Sequence, residues 1–127
     1  MTRHPGVTDR APKPVGPYSQ SVRIGRLVHA AGQGADDPAT GRLAGPDIEG
    51  QTRQCLRNLE EVLAASGASL DDVLRVGVFL AHREDFEGMN AVYGTFFGDP
   101  SPARTTVYVG LPGELRVEID AVAVLPG

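Results

Sequence analysis

The chain has 127 residues, of which 41% are hydrophobic and 22% charged, a composition typical of one globular domain. Its net charge of −4 at pH 7 argues against a protein that mainly binds nucleic acid, because such proteins carry a basic patch. No apolar run could span a membrane, no apolar secretory signal is present and the single cysteine fits a reducing compartment, so a cytoplasmic location is expected.

The N-terminal half predicts an extended lead-in, a β-hairpin and a long helix. Residues 1–13 are rich in proline and charge, which is typical of an extended segment. The segments SVRI and LVHAA predict two strands joined by a turn at Gly25–Arg26. Apolar residues recur at helical spacing from Ile48 to Leu63, between an N-cap residue, Asp47, and a stop residue, Gly67. The other face of this helix is predicted to be polar, with Gln51 and Asn58 on it.

The C-terminal half predicts a strand, a second helix and two further strands. The segment RVGVFL has strand composition, and REDFEGMNAVYGTFFG predicts a helix with Asn90 on an otherwise apolar stripe. The last two strands are predicted at Arg104–Val109 and in LRVEIDAVAV, joined by a tight GLPGE connection. The order ββαβαββ therefore predicts one α+β domain of antiparallel strands packed on two helices.

Arg104 begins a strand that otherwise reads as buried, although arginine is rarely buried without a partner. Alternation places Thr106 on the same strand face as Arg104, and it places Glu118 with Asp120 in the last strand. If the two strands form a hairpin, Arg104 lies opposite Asp120, and Thr106 lies opposite Glu118. The residues alone leave two interpretations: a cross-strand ion pair on a solvated face, or an arginine that binds a ligand.

Six segments between Pro14 and Val124 occur in an order and spacing that resembles the Rid family, also called YjgF and once described as L-PSP endoribonucleases. The segments are GPYSQSV, AGQGADDPATGRL, QTRQCLRNLEEVLAASGASLDDV, VFLAHREDFEGMNAVYGTFFG, PARTTV and VEIDAVAV. The resemblance implies a chorismate-mutase-like fold, a mostly antiparallel sheet on two helices. It also implies a homotrimer with ligand clefts between neighbouring subunits.

The resemblance further implies an enzyme that hydrolyses reactive enamines and imines, such as 2-aminoacrylate and 2-iminopropionate, to 2-oxo acids and ammonia. The residues themselves show no metal-ligand spacing, phosphate-binding loop, basic patch or membrane span, so no metal, cofactor, nucleic-acid or membrane partner is expected. Arg104 matches the family arginine that binds the substrate carboxylate, and Glu118 matches the glutamate near the imine and its attacking water. The other matched positions belong to the substrate-binding cleft: Tyr18, Gly32, Asn90 and Thr106.

Two departures from the family pattern and two other functions bear on this interpretation. Ala31 stands where many members have serine, and Thr106 stands where some have cysteine, so a thiol mechanism does not transfer. One alternative function is a trimer that binds small carboxylates without turnover, as a sensor, sequestering protein or holdase. The other is an endoribonuclease or translation inhibitor, which the acidic composition and dispersed arginines disfavour.

Overall fold

The computed structural model describes residues 1–127 as a six-stranded sheet with two helices packed on one of its faces. The helices are α1 (Ile48–Ala64) and α2 (Phe86–Tyr93). The strands are β1 (His4–Gly6), β2 (Ser21–Ile24), β3 (Leu27–Gln33), β4 (Asp36–Asp37), β5 (Arg42–Leu43), β6 (Val73–Leu80), β7 (Ala103–Tyr108) and β8 (Val117–Val124). Strands β4 and β5 form a separate hairpin, and the sheet has the order β1-β2-β3-β8-β6-β7. The predicted mostly antiparallel α+β fold is therefore confirmed, with β6–β7 as its one parallel pair.

The first hairpin forms where the sequence predicts it. Ile24 pairs with Leu27, and Gly25 in the turn has a φ of +58°, which glycine adopts without steric cost. The lead-in is extended, and its residues His4–Gly6 also pair with β2 as an edge strand. The polar composition of this segment did not predict that pairing.

Both helices are where the sequence predicts them, but α2 is shorter. Asp47 caps α1 by accepting a hydrogen bond from the Gly50 amide, and Gly67 adopts a φ of +86° after the helix. Helix α2 ends at Tyr93, and tighter turns then carry the chain away from the helix axis. Phe96 and Phe97 still pack against the core from beyond the helix end. Neither helix combines the length and hydropathy needed to cross a bilayer.

The predicted hairpin between the last two strands is wrong. Strand β7 pairs in parallel with β6, and β6 separates it from β8, which pairs with β6 and β3. Residues between Tyr108 and Val117 cross the end of β6, so the GLPGE segment is part of a crossover connection. The interior position suits β8, because its inward residues are all buried and its outward residues are all half-buried.

The register places Arg104 and Glu118 on opposite faces of the sheet. Arg104 is level with Val76, which is buried under the helices. Glu118 is level with Phe79, whose side chain points away from the helices. We call the face that carries Glu118, Asp120 and Val122 the helix-free face. The predicted pairings of Arg104 with Asp120 and of Thr106 with Glu118 are therefore both wrong.

Candidate active site

Three of the six predicted site residues line one cavity of about 350 Å³. Tyr18, Gly32 and Glu118 contribute to its wall, together with lead-in residues such as Lys13 and with Leu115. Because β3 and β8 are adjacent, the backbone at Gly32 comes close to the side chain of Glu118. We refer to this space as the Glu118 cavity.

Glu118 is the chemically distinctive group of the Glu118 cavity. Partial burial raises the pKa of its carboxyl group, and the neighbouring Asp120 raises it further by charge repulsion. A β-carbon at Gly32 would lie 2.6 Å from Oε2 of Glu118, so the carboxylate occupies the space that a side chain would fill. A carboxylate with a raised pKa is a better proton acceptor than an ordinary one and can return the proton that it takes up, as general acid–base chemistry requires.

Arg104 lies on the other face, at the edge of the sheet between β7 and α2. Its guanidinium carbon is 4.7 Å from the centre of the Tyr93 ring and 5.8 Å from that of Phe86. Its polar contact within the chain is a 4.0 Å approach to the sulfur of Met89. The one ion pair of the structure joins Arg116 to Asp85, so Arg104 has no carboxylate partner. The interpretation of Arg104 as a cross-strand ion pair is therefore wrong.

Unpaired polar atoms accompany this guanidinium on the same two elements. Oδ1 of Asn90, Oγ1 of Thr106 and the hydroxyl of Tyr93 are buried and have no hydrogen-bond partner. Each such atom costs about 1–3 kcal/mol when it stays buried without a partner. We call this group the Arg104 cluster: Phe86, Met89, Asn90, Tyr93, Arg104 and Thr106.

The six predicted site residues therefore fall into two groups. Tyr18, Gly32 and Glu118 belong to the Glu118 cavity. Asn90, Arg104 and Thr106 belong to the Arg104 cluster on the opposite face. A single chain does not bring the two groups together.

The sequence pattern did not predict several residues that support the Glu118 cavity, or placed them on the wrong face of a helix. Gln51 and Asn58, which were expected on the polar face of α1, are both buried. The Gln51 side chain donates to the carbonyls of Gly45 and Glu114 and accepts from the Arg116 amide. It thereby fixes the segment that leads into β8. A helical pattern places polar residues on the exposed face. Here the polar side chains are buried instead, because they form hydrogen bonds with backbone groups of the loops.

The side chain of Gln20 fixes the backbone of the lead-in, as that of Gln51 fixes the segment before β8. Its side-chain oxygen accepts from the Thr8 amide, and its amide nitrogen donates to the carbonyls of Thr8 and Pro12. The lead-in is therefore held against the Glu118 cavity, to whose wall Pro12 and Lys13 contribute. The position of Gln20 within the GPYSQSV segment was the only sequence signal of this role.

The chain is similar to proteins of one family over nearly its whole length. The family model described as Endoribonuclease L-PSP matches residues 8–125. A RutC family protein of Pyrococcus horikoshii is 47% identical over 117 residues, which cover 91% of this chain and 93% of that protein. The 2-iminobutanoate/2-iminopropanoate deaminase of Mus musculus is 40% identical over 118 residues, which cover 92% and 87% respectively.

Solved structures agree with these sequence relationships. The crystal structure of RidA from the Antarctic bacterium Psychrobacter sp. superposes with a TM-score of 0.91 at 36% identity, covering 96% of this chain and 99% of that chain. At this identity and coverage the likeness extends to the family as well as the fold. The chain belongs to the Rid family, also called YjgF, which the Endoribonuclease L-PSP model describes.

Proposed function

We propose that this protein hydrolyses small 2-imino acids and their enamine tautomers to 2-oxo acids and ammonia. We further propose that it acts as a homotrimer, in which each cleft combines the Arg104 cluster of one copy with the Glu118 cavity of a neighbour. The deaminase activity named for the mouse relative, at 40% identity, supports the reaction class. The arrangement of the two groups on the sheet supports the shared cleft.

One observation carries this proposal. Arg104 is a half-buried cation without a carboxylate partner, whereas Glu118 is a half-buried carboxyl group on the opposite face of the same sheet. A small substrate cannot contact both within one chain, because the sheet and its side chains lie between them. A second copy that presents its Arg104 cluster to the Glu118 cavity would bring a carboxylate-binding group beside an acid–base group.

The helix-free face supports assembly. Its half-buried or exposed apolar residues are not covered by either helix: Val22, Ile24, Leu27, Phe79, Val107, Val122 and Val124. Among them Asp120 keeps a buried oxygen without a hydrogen-bond partner. An uncovered apolar sheet face of this kind is typical of a protein–protein interface. Donors from a neighbouring copy would satisfy Asp120.

The proposed chemistry needs only positioning and one proton shuttle. The planar guanidinium of Arg104 suits a substrate carboxylate, which it can bind through two parallel hydrogen bonds. Protonation of the imine nitrogen makes its carbon electrophilic, and a water attacks that carbon. Glu118 accepts a proton from the water and returns it to nitrogen. The carbon–nitrogen bond then breaks as the hydroxyl group of the intermediate gives its proton to Glu118, which releases ammonia and the 2-oxo acid.

The proposed activity can be tested by generating the substrate in place. An amino-acid oxidase converts alanine to 2-iminopropionate, whose loss is followed in competition with a trapping nucleophile. We expect the wild-type protein to accelerate hydrolysis, and Arg104→Ala and Glu118→Gln to lose at least about 100-fold of that effect. Two exposed residues of the helices provide matched controls, Arg53→Ala and Glu87→Gln, which should retain activity.

Two results would contradict the proposal in different ways. No acceleration with the imines of alanine, leucine or methionine would exclude the deaminase. Intact binding of a 2-oxo acid without turnover, in the wild-type protein, would favour the carboxylate-binding alternative.

A further inference from the structure

The Arg104 cluster holds its arginine by aromatic rings. The Tyr93 ring is nearer to the guanidinium than the Phe86 ring, at 4.7 Å against 5.8 Å between the guanidinium carbon and the ring centre. Both distances are within the range of cation–π contacts. An arginine side chain has several rotatable bonds, so a specific orientation must be imposed by its contacts.

An aromatic contact differs from an ion pair because it leaves the N–H groups of the guanidinium free to bind a ligand. A carboxylate on Arg104 would occupy the hydrogen-bonding edge of the guanidinium and neutralise the charge that a substrate carboxylate needs. A ring on the guanidinium plane leaves the N–H groups at the edge free to donate. The absence of any carboxylate within ion-pair distance of Arg104 fits this second arrangement.

Tyr93 is well placed to act as a fixed support. Only 7% of the residue is exposed, and its ring packs on Phe97, with 4.7 Å between the ring centres. Burial raises the pKa of the Tyr93 hydroxyl, and the nearby Arg104 opposes this only in part. The phenol therefore stays neutral at physiological pH and does not neutralise the guanidinium.

We propose that Tyr93 is a positioning residue, whose ring orients the Arg104 guanidinium so that its edge can bind the carboxylate of the substrate. This inference rests on the proposed function for the identity of the ligand. It adds a residue that the family resemblance did not assign. The ring, rather than the hydroxyl, carries the effect.

The test compares three variants in binding a stable carboxylate, 2-oxobutanoate, by titration calorimetry. Tyr93→Leu removes the ring, and Tyr93→Phe keeps it. Tyr108→Leu is the control, because its ring contacts a different arginine, Arg83, at 5.1 Å from the guanidinium carbon to the ring centre. Wild type and Arg104→Ala define the part of the affinity that depends on the guanidinium. We expect Tyr93→Leu to weaken this binding about tenfold, at least five times more than Tyr93→Phe does, while Tyr108→Leu binds as wild type does.

Turnover separates positioning from general destabilisation. We expect Tyr93→Leu to raise KM more than it lowers kcat, and Tyr93→Phe to restore most of the loss. Equal affinities for Tyr93→Leu and Tyr108→Leu, or equal losses for Tyr93→Leu and Tyr93→Phe, would overturn the role of the Tyr93 ring. Binding of 2-oxobutanoate through Arg104 in a protein without imine turnover would refute the proposed function alone, and the comparison of the Tyr93 variants would still decide this inference.

Discussion

Gly32 shows how a single residue position can shape the Glu118 cavity. A β-carbon at this position would lie 2.6 Å from Oε2 and 2.9 Å from Cδ of Glu118. The flexible carboxylate can move away, so we expect Gly32→Ala to displace it with little loss of stability. A displacement of about 1 Å in a catalytic group can cost up to roughly 100-fold in rate, so imine turnover should fall about 10- to 100-fold.

Gly98→Ala is the matched control, because a β-carbon at Gly98 would meet nothing within 4 Å. It should keep wild-type turnover. Turnover near the wild-type rate in Gly32→Ala, with an unchanged midpoint of thermal unfolding, would contradict the prediction that imine turnover depends on the position of the Glu118 carboxylate.

Glu118 also predicts a pH dependence of stability. Burial and Asp120 raise its pKa in the folded chain above the usual value of 4.5, so the folded state holds this proton more tightly than the unfolded state does. The contribution of Glu118 to stability must therefore fall as pH rises from about 4.5 through the raised pKa. Glu118→Gln removes this titration. Its thermal midpoint, relative to that of wild type, should rise across this window and level off above it.

The measurement is a series of melting curves for both proteins between pH 4 and pH 8. Asp36→Asn provides a control, since this exposed carboxylate also lines the Glu118 cavity. A relative midpoint that falls with rising pH would show that a cation stabilises the ionised Glu118, in conflict with a carboxyl group desolvated beside Asp120.

At the scale of elements, one ion pair joins the start of α2 to the start of β8. Nη1 of Arg116 lies 3.0 Å from Oδ2 of Asp85, and Nε of Arg116 donates to the Pro46 carbonyl. Asp85 is buried, so its loss leaves Arg116 without its counter-charge. We expect Asp85→Ala to lower the free energy of unfolding by about 1–3 kcal/mol, less than for a fully buried pair because Arg116 is partly exposed.

Denaturant titration measures this change, and Glu84→Ala, an exposed acid in the same turn, is its control. Glu84→Ala should change the free energy of unfolding by less than about 0.5 kcal/mol. Equal effects of the two substitutions would show that the Arg116–Asp85 pair does not brace these elements.

Helices and hairpins that depend on neighbouring residues were predictable from the sequence. The pairing of strands that are distant along the chain was not. The hairpin at Gly25 and the helix after Asp47 depend on neighbouring residues, and both form as predicted. The partner of β7 depends on residues far along the chain. Adjacent strands favour a hairpin by default, but here β8 gains more by lying between β3 and β6, where its inward residues are fully buried.

The arrangement of the predicted site residues was only partly predictable from the sequence. The alternation of β8 correctly placed Glu118 with Asp120 on one face. The face on which Arg104 lies depends on the β6–β7 pairing, which the sequence pattern does not contain. The contact of Tyr93 with Arg104 was not predictable from local patterns, because it joins two elements that are distant along the chain.

At the scale of the whole molecule, the helix-free face should control both assembly and activity. Val122 lies near its middle, level with His29 on one side and with Arg75 on the other. We expect Val122→Glu to leave the fold intact but to prevent close packing of copies, because its larger, charged side chain would have to lose its hydration at the interface even where Arg75 pairs with it. Sedimentation should then show a smaller species than wild type, and imine turnover should fall at least about tenfold.

Val7→Glu is a control at an exposed apolar position in the lead-in, and it should leave both properties unchanged. Wild-type turnover by a monomeric Val122→Glu protein would contradict a cleft shared between copies.

The most direct test of the central claim is complementation between two inactive variants. Arg104→Ala and Glu118→Gln chains are co-expressed with different tags, and only oligomers that carry both tags are purified. In a cyclic trimer of mixed composition, one cleft in three combines an intact Arg104 with an intact Glu118 of the neighbour, so we predict about one third of wild-type turnover. Activity no higher than that of either variant alone, in trimers that contain both chains, would contradict the claim that each cleft is built from two copies.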